Sequence, residues 1–243
     1  MLIKLGLIGK TLTHSFSKSF FEQLFESEKI DGSYDLLTFE TENDLTTFLN
    51  SSHAYQGFNV TIPYKEIAAK LCKQLDAVAQ KTGVVNVIKI KGDELFGFNT
   101  DAIAFQQTLK PLLKSNHYRA LILGNGASSK TVEHVLQTIG IDCLKMARNP
   151  KEDQLSFENA NEYVLQHHHL IVNTTPIGTF PHINEKPVFP YSFLTNQHLV
   201  YDLVYNPAPS AFLIEAKKHG AVIKDGFDML QIQAKEAWKI WSA

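Results

Sequence analysis

The run Arg119-Ala-Leu-Ile-Leu-Gly124-Asn-Gly126-Ala-Ser-Ser limits the fold of this chain more than any other segment. From Ala120 to Leu123 it is continuously apolar, as a strand covered on both faces of a parallel sheet must be. A G-x-G turn follows at once, and then apolar residues at helical spacing: Val132, Val135, Leu136 and Ile139. Strand, glycine turn and helix in this order make one α/β unit. Parallel strands cannot be joined by a hairpin, so the surrounding chain must supply crossovers.

The rest of the sequence alternates in the same way. Residues 2–8, 34–39, 57–60 and 84–90 read as strands, and 94–98 as a hairpin partner across Lys91-Gly92-Asp93. Helical spacing marks 15–27 and 42–49. Asn99-Thr100-Asp101 opens a longer helix, with Asn99 or Thr100 as N-cap, and Pro111 kinks or ends it before Leu113. Further strands are expected at 141–146, 170–173, 199–202 and 221–224, with a crossover helix over 209–218. The tail over 229–241 is helical, with Leu230, Ala234, Ala237, Trp238 and Trp241 on one apolar stripe. The change in character at Tyr118 suggests two domains with a boundary near residue 101. Residues 159–161 and 180–190 look most like loops.

Composition excludes several classes. Lys and Arg number 23 against 25 Asp and Glu in 243 residues, which is not the footprint of a nucleic-acid binder. With 44% hydrophobic residues the chain is not a disordered one. Its two cysteines, Cys72 and Cys143, form neither a disulfide framework nor a zinc motif. The apolar start Met1-Leu2-Ile3 breaks at Lys4, too early for a signal peptide, and no stretch is long enough to span a membrane, so a cytoplasmic protein is expected. His167-His168-His169 is read as a polar stretch before a strand rather than a metal site, because adjacent side chains point in different directions. No metal is expected.

Gly124 to Ser129 is the kind of turn that lets a pyrophosphate approach backbone N–H groups at a helix N-terminus, although an ordinary strand–helix turn has the same shape. The next strand ends at Arg148, where an NAD site normally carries an acid. Arg148 is either a solvated loop charge or a grip for a 2′-phosphate, and with the glycine turn upstream the second reading, NADP(H), leads. In Gly57-Phe-Asn59-Val-Thr61-Ile-Pro63-Tyr-Lys65, the polar residues gather at a strand end running into a helix start, with Pro63 suited to the first turn. That is a ligand-facing cluster or a surface loop. Asn86, set inside an apolar strand, either fixes structure by hydrogen bonds or contacts a ligand.

Taken together, Gly57…Lys65, Val85-Asn86, Gly97-Phe-Asn99-Thr-Asp101, Gly124…Ser129, Asn173-Thr-Thr-Pro-Ile-Gly178, Asp202-Leu-Val-Tyr-Asn-Pro207 and Asp225-Gly226…Gln233 resemble the shikimate dehydrogenase family in order and spacing. The resemblance runs from Gly9 to Trp241. It implies an N-terminal α/β substrate domain with a mixed sheet, residues 1–101 completed by a helix over 226–243. A Rossmann-like NADP-binding domain over 102–225 and a cleft between the two are implied as well.

By the same resemblance, the expected activity is reversible reduction of 3-dehydroshikimate to shikimate with NADPH. Lys65 and Asp101 would be the catalytic pair. Ser15 and Ser17 would hold the substrate carboxylate, and Thr61, Asn86, Tyr205 and Gln233 the ring hydroxyls. Gly124, Asn125, Gly126, Ala127, Ser128, Ser129 and Arg148 would bind the cofactor phosphates, while Asn173, Thr174, Thr175, Pro176 and Gly226 would lie along the cofactor. A monomer or homodimer, with a small-molecule substrate and no nucleic acid or membrane partner, is expected. The alternatives are a quinate-type paralogue and a non-catalytic binding protein on the same fold. The chain departs from the family pattern at Lys18, where H-S-x-S is usually followed by proline, at Ala127 in place of a third glycine, and at Ala147-Arg148-Asn149 in place of N-R-T. Losing the fixed φ of proline at position 18 is expected to loosen the carboxylate loop.

Overall fold

A computed structural model describes residues 2–12, 15–51 and 54–243. The chain divides into two compact units, one running to Asp101 and completed by Gln233–Ala243, the other Ala102–Ile232.

The first unit is built on strands β1 (Ile3–Gly9), β2 (Gly32–Thr38), β3 (Gly57–Val60), β4 (Gln74–Leu75), β5 (Val87–Lys91) and β6 (Glu94–Phe98). They form a mixed sheet in the order β2-β1-β3-β5-β6-β4, with β3–β5 and β5–β6 antiparallel and the remaining pairs parallel. Its helices are α1 (Phe16–Ser27), α2 (Glu42–Leu49), α3 (Lys65–Leu71) and α4 (Ala77–Thr82). Successive side chains on a strand face opposite ways, and β1 uses both faces. Leu5 and Leu7 pack with Phe21 and Phe25 of α1, while Ile8 packs with Leu45 and Leu49 of α2.

The helix α9 (Phe227–Ser242) closes the first of these cores with Ala234, Ala237 and Trp241. The Trp241 indole donates to the Ile88 carbonyl at 2.9 Å. Only a glycine leaves room for that approach, since a Cβ on Gly57 would lie 2.2 Å from the indole nitrogen. The first turns of α9 belong to the second unit, so the division falls inside this helix rather than at its start.

The second unit contains α5 (Thr100–Leu109) from Ala102 onward, then β7 (Arg119–Leu123), α6 (Ala127–Thr138), β8 (Asp142–Ala147), β9 (Gln154–Ser156), α7 (Glu162–His167), β10 (Leu170–Asn173), β11 (Leu199–Asp202), α8 (Ala211–Lys218) and β12 (Val222–Lys224). All six strands are parallel, in the order β12-β11-β10-β7-β8-β9. This is the doubly wound dinucleotide-binding arrangement, in which the strand order reverses between β7 and β10. Leu121, Leu123, Ile171 and Val200 are solvent-free on the face covered by Phe212 and Leu213 of α8.

Several sequence expectations shift locally. The helix opened by Asn99 ends at Leu109 and tightens into a 3₁₀ turn over Lys110–Leu112, because Pro111 has no N–H to continue the ladder. Pro63 lies outside α3, after a cis Ile62–Pro63 bond, rather than in its first turn. Val84 to Asn86 precede β5, since their backbone groups bond to the ends of neighbouring elements: the Val85 N–H donates to Lys65 and that of Asn86 to Phe98.

Candidate active site

Lys65 is the first residue of α3, and Asp101 lies in the first turn of α5. Both are largely buried in the first unit, and the Lys65 Nζ meets Asp101 Oδ2 at 2.6 Å. An acid is favoured at a helix N-terminus and a cation is not, so Asp101 supplies the counter-charge that the position of Lys65 requires. The ammonium has three donors, and this bond uses one of them.

Asn86 fixes the carboxylate. Its side-chain oxygen accepts from the Thr100 N–H at 2.8 Å, capping α5 from outside the helix. Its Nδ2 donates to Thr100 Oγ1 at 2.9 Å and to Asp101 Oδ1 at 3.0 Å. Both N–H groups of Asn86 are therefore engaged within the protein. The Thr100 hydroxyl in turn donates to the Gln233 carbonyl at 3.2 Å, so the start of α9's last stretch is tied to the start of α5. Gln233 is buried in the same unit.

Behind Asn86 lies a buried pair, Asn59 from the polar cluster that the sequence marks at the end of β3 and Tyr34, which the sequence does not single out. The Tyr34 hydroxyl donates to Asn59 Oδ1 at 2.7 Å, and Asn59 Nδ2 donates to the Asn86 carbonyl at 3.4 Å. Burial pushes the Tyr34 phenol well above its usual range, opposed in part by the Ser17 hydroxyl at its oxygen. Ser15 caps α1, its Oγ accepting from the Lys18 N–H at 3.2 Å, and its own O–H is donated to no described residue. A proline at position 18 has no such N–H, so here Lys18 ties the turn instead of loosening it. Thr61 is half-buried at the end of β3, and its hydroxyl engages no described residue. His14 of the H-S-x-S motif lies outside the described residues.

The second unit carries the glycine turn at its topological switch point. Gly124 has φ +113°, and a Cβ there would meet Thr174 Oγ1 at 2.7 Å, so only glycine serves this turn. Gly126 is the N-cap of α6, with no side chain capping it and open space where a Cβ would stand. Ala127 and Ser128 follow as the first residues of that helix, and buried Ser129 returns its hydroxyl to the Gly126 carbonyl at 2.7 Å. Asn125 reaches Gln154 at 3.3 Å. Arg148 is exposed beyond β8 and makes no ion pair with any described residue. An uncapped helix start beside a free guanidinium fits an anionic dinucleotide carrying an extra phosphate.

The residues after β10 brace one another. Thr174 Oγ1 donates to the Leu123 carbonyl at 2.7 Å, and the Thr175 hydroxyl donates to Asn173 Oδ1 at 2.7 Å. Asn173 Nδ2 donates to Asp202 Oδ1 at 2.8 Å, which uses one of its two N–H groups and ties the end of β10 to the end of β11. Asp202 also accepts from Ser210 and from the Val204 N–H, and burial pushes its carboxyl up to about 6. Pro176 is exposed. Gly226 sits so close to Leu203 that a Cβ would lie 2.3 Å from its carbonyl oxygen. Half-buried Tyr205 belongs to this unit too, and burial raises its phenol.

The histidine run binds backbone instead of converging: His167 and His168 reach the carbonyls of Tyr163 and Val164, and His169 that of Asn116. Among the described residues no three His, Cys, Asp or Glu side chains converge to hold a metal ion, and no helix is long and apolar enough to cross a membrane.

Comparison with known proteins places these features. A family model described as the shikimate dehydrogenase substrate binding domain matches residues 7–88. A shikimate dehydrogenase (NADP(+)) of Methanococcus vannielii is 33% identical, covering 99% of this chain and 91% of its own. The crystal structure of shikimate 5-dehydrogenase from Thermus thermophilus in complex with NADP(H) and shikimate has a TM-score of 0.86 at 28% identity, covering 99% of this chain and 93% of that one. A quinate dehydrogenase from Corynebacterium glutamicum in complex with NAD has a TM-score of 0.84 at 25% identity, covering 99% and 93%. An ion-paired lysine and aspartate in a mixed-sheet unit, a dinucleotide fold after it, and a third of all residues shared along almost the whole length establish that the chain belongs to the shikimate dehydrogenase family.

Proposed function

We propose that this protein interconverts 3-dehydroshikimate and shikimate with NADP(H), using Lys65 and Asp101 to handle the proton. The single observation that carries the reading is the buried Lys65–Asp101 contact at 2.6 Å, which leaves two ammonium donors to face a substrate oxygen. The bound nicotinamide supplies the hydride. Lys65 stabilises the negative charge that grows on the ring oxygen as the carbonyl carbon is reduced, and it passes a proton to that oxygen. Asp101 balances the charge of the ammonium before transfer and holds the neutral amine in place after it. Water then returns a proton to Lys65.

Substrate selection follows from the surrounding donors. Ser15 presents its O–H to the substrate carboxylate, with Ser17 beside it on the same helix turn. The Thr61 hydroxyl, which engages no other described residue, serves a ring hydroxyl, as do Gln233 and Tyr205. Asn86 acts chiefly through Asp101, because its own N–H groups are spent on Asp101 and on the Thr100 hydroxyl beside it. In the second unit, the uncapped turn of α6 and Arg148 hold the cofactor phosphates, and the loop from Asn173 to Pro176, with Gly226, shapes the path of the dinucleotide.

The test is reduction of NADP⁺, followed at the nicotinamide absorbance band, with shikimate as the only second substrate and quinate in a parallel assay. Turnover with shikimate exceeding that with quinate is expected. Preference for quinate would assign the protein to the quinate-type paralogues, and no signal with either would make it a binding protein.

A further inference from the structure

We propose that Asp202 is a positioning residue, a buried carboxylate that holds both the loop 173–176 and the loop bearing Tyr205 in their working positions. The inference rests on the reading above, in which the first loop lines the dinucleotide and Tyr205 meets a ring hydroxyl.

Burial alone argues against an acid here. Asp202 ends β11 with no solvent exposure, and no cation among the described residues pairs with it. An apolar side chain would fill the same space at lower cost. What the carboxylate offers is two oxygens that only accept. Oδ1 accepts from Asn173 Nδ2 at 2.8 Å and from the Val204 N–H at 3.0 Å, while Oδ2 accepts from the Ser210 hydroxyl. No neutral side chain of this size takes three such bonds without presenting a donor of its own.

The three donors belong to the two loops. Asn173 ends β10, and with its Nδ2 on Asp202 its Oδ1 faces Thr175, accepting from that residue's N–H at 3.0 Å and its hydroxyl at 2.7 Å. A reversed amide would set N–H against the Thr175 N–H and oxygen against the carboxylate, so Asp202 allows one orientation only. The link passes through a single planar group. Val204 and Ser210 stand at the two ends of the second loop, with Tyr205 between them. Ser210 also caps α8, accepting from the Leu213 N–H at 3.3 Å, so that end of the loop is anchored to a helix. One oxygen therefore registers loop 173–176 and the start of the Tyr205 loop, and the other registers its end, all within the second unit.

The test compares full-length wild type, Asp202→Ala, Asp202→Asn and Ser210→Ala by calorimetric titration with NADP⁺, by kcat and KM for shikimate, and by thermal midpoint. Asp202→Ala strands all three donors, and it should raise the NADP⁺ Kd about tenfold and lower kcat about tenfold. Asp202→Asn keeps an oxygen for Asn173 and Val204 and turns its N–H groups to the Ser210 oxygen, so both constants should stay within about threefold of wild type. Ser210→Ala cuts the Oδ2 bond alone. It should leave the NADP⁺ Kd within about twofold while kcat/KM for shikimate falls about fivefold, a split that keeps the proposal testable should Asp202→Ala not fold. A folded Asp202→Ala with wild-type Kd and kcat would overturn the proposal and leave Asp202 a merely structural residue. So would an Asp202→Asn as impaired as Asp202→Ala, or a Ser210→Ala in which the Kd and kcat/KM move together or not at all. A wild-type protein that binds NADP⁺ without turning over shikimate would instead overturn the functional reading, and the Kd comparison would still test the hold on loop 173–176.

Discussion

Neutralising one or both members of the Lys65–Asp101 pair should separate what the pair contributes to stability from what it contributes to turnover. In Asp101→Asn, the two atoms facing position 101 are both donors, Lys65 Nζ and Asn86 Nδ2, so the new amide must oppose one of them with its own N–H. The Lys65 ammonium, with only 11% of its side chain exposed, loses its counter-ion. An uncompensated buried charge of this kind costs about 3–5 kcal/mol. At about 2–4 °C per kcal/mol for a chain of this size, the thermal midpoint should fall by roughly 6–20 °C. Lys65→Met should cost less, because Asp101 keeps its bond from Asn86 and the favourable field at the start of α5.

The double variant, Lys65→Met with Asp101→Asn, is the decisive protein. It leaves no buried charge, and the carbonyl of the new amide can accept from Asn86, so its midpoint should return to within about 3 °C of wild type. Its turnover should nevertheless stay about 100-fold or more below wild type, since the proton donor is gone. Scanning calorimetry and NADP⁺ reduction with shikimate, on the same preparations, read the two effects. A double variant as unstable as Asp101→Asn would show that an unpaired charge is not what destabilises the single mutant. Turnover above about a tenth of wild type in the double variant would end the assignment of Lys65 as proton donor.

Arg148→Asp should lower the NADP/NAD ratio of kcat/KM by about tenfold or more, because the variant repels a 2′-phosphate and can accept from a ribose hydroxyl; an unchanged ratio would make Arg148 an ordinary surface charge. Asp202 titrates near 6 when folded, against an ordinary 3.8, so the folded state takes up its proton first. That rise is worth about 3 kcal/mol of stability, present below the unfolded value and lost as the pH rises through about 6. Denaturant titrations of Asp202→Asn at about pH 4 and pH 7 should show that step flattened, and the same pH dependence in both proteins would refute it. Gly57→Ala places a methyl 2.2 Å from the Trp241 indole nitrogen, and it should destabilise by about 1–3 kcal/mol with a red shift of tryptophan emission; unchanged emission would mean that the helix yields without cost.

The parts of this structure that were legible in the sequence are those that repeat or punctuate. The hairpin over Glu94–Phe98, the helix Glu42–Leu49 and the strands at 170–173 and 199–202 carry their period within a few residues. The four-residue runs stand out because burial on both faces removes polar interruption. Short elements such as α4 and β9 are too brief to show a period, and α4 is marked only by its caps, Asp76 accepting from the Ala79 N–H and Gly83 at φ +66°. Lys65 and Asp101 were legible through motif spacing. Tyr34 was not, because in β2 it reads as one more strand aromatic, and its partner Asn59 lies 25 residues away. Asn86 was read as an amide within a strand. Its position just before β5 is what lets one side chain cap α5 and grip Asp101 together, a geometry that no local pattern encodes.

The split composition of the first unit has a consequence during synthesis. Residues 102–232 are contiguous and hold their own parallel sheet, so they have every strand they need once residue 224 has been made. The earlier unit, although translated first, still lacks Ala234, Ala237 and Trp241, and Thr100 has no Gln233 carbonyl to receive its hydroxyl. Domains usually mature in the order in which the ribosome delivers them. Here the half bearing Lys65 must wait for the other, and a chain cut short by a dozen or so residues would leave a finished dinucleotide fold attached to an open-cored partner.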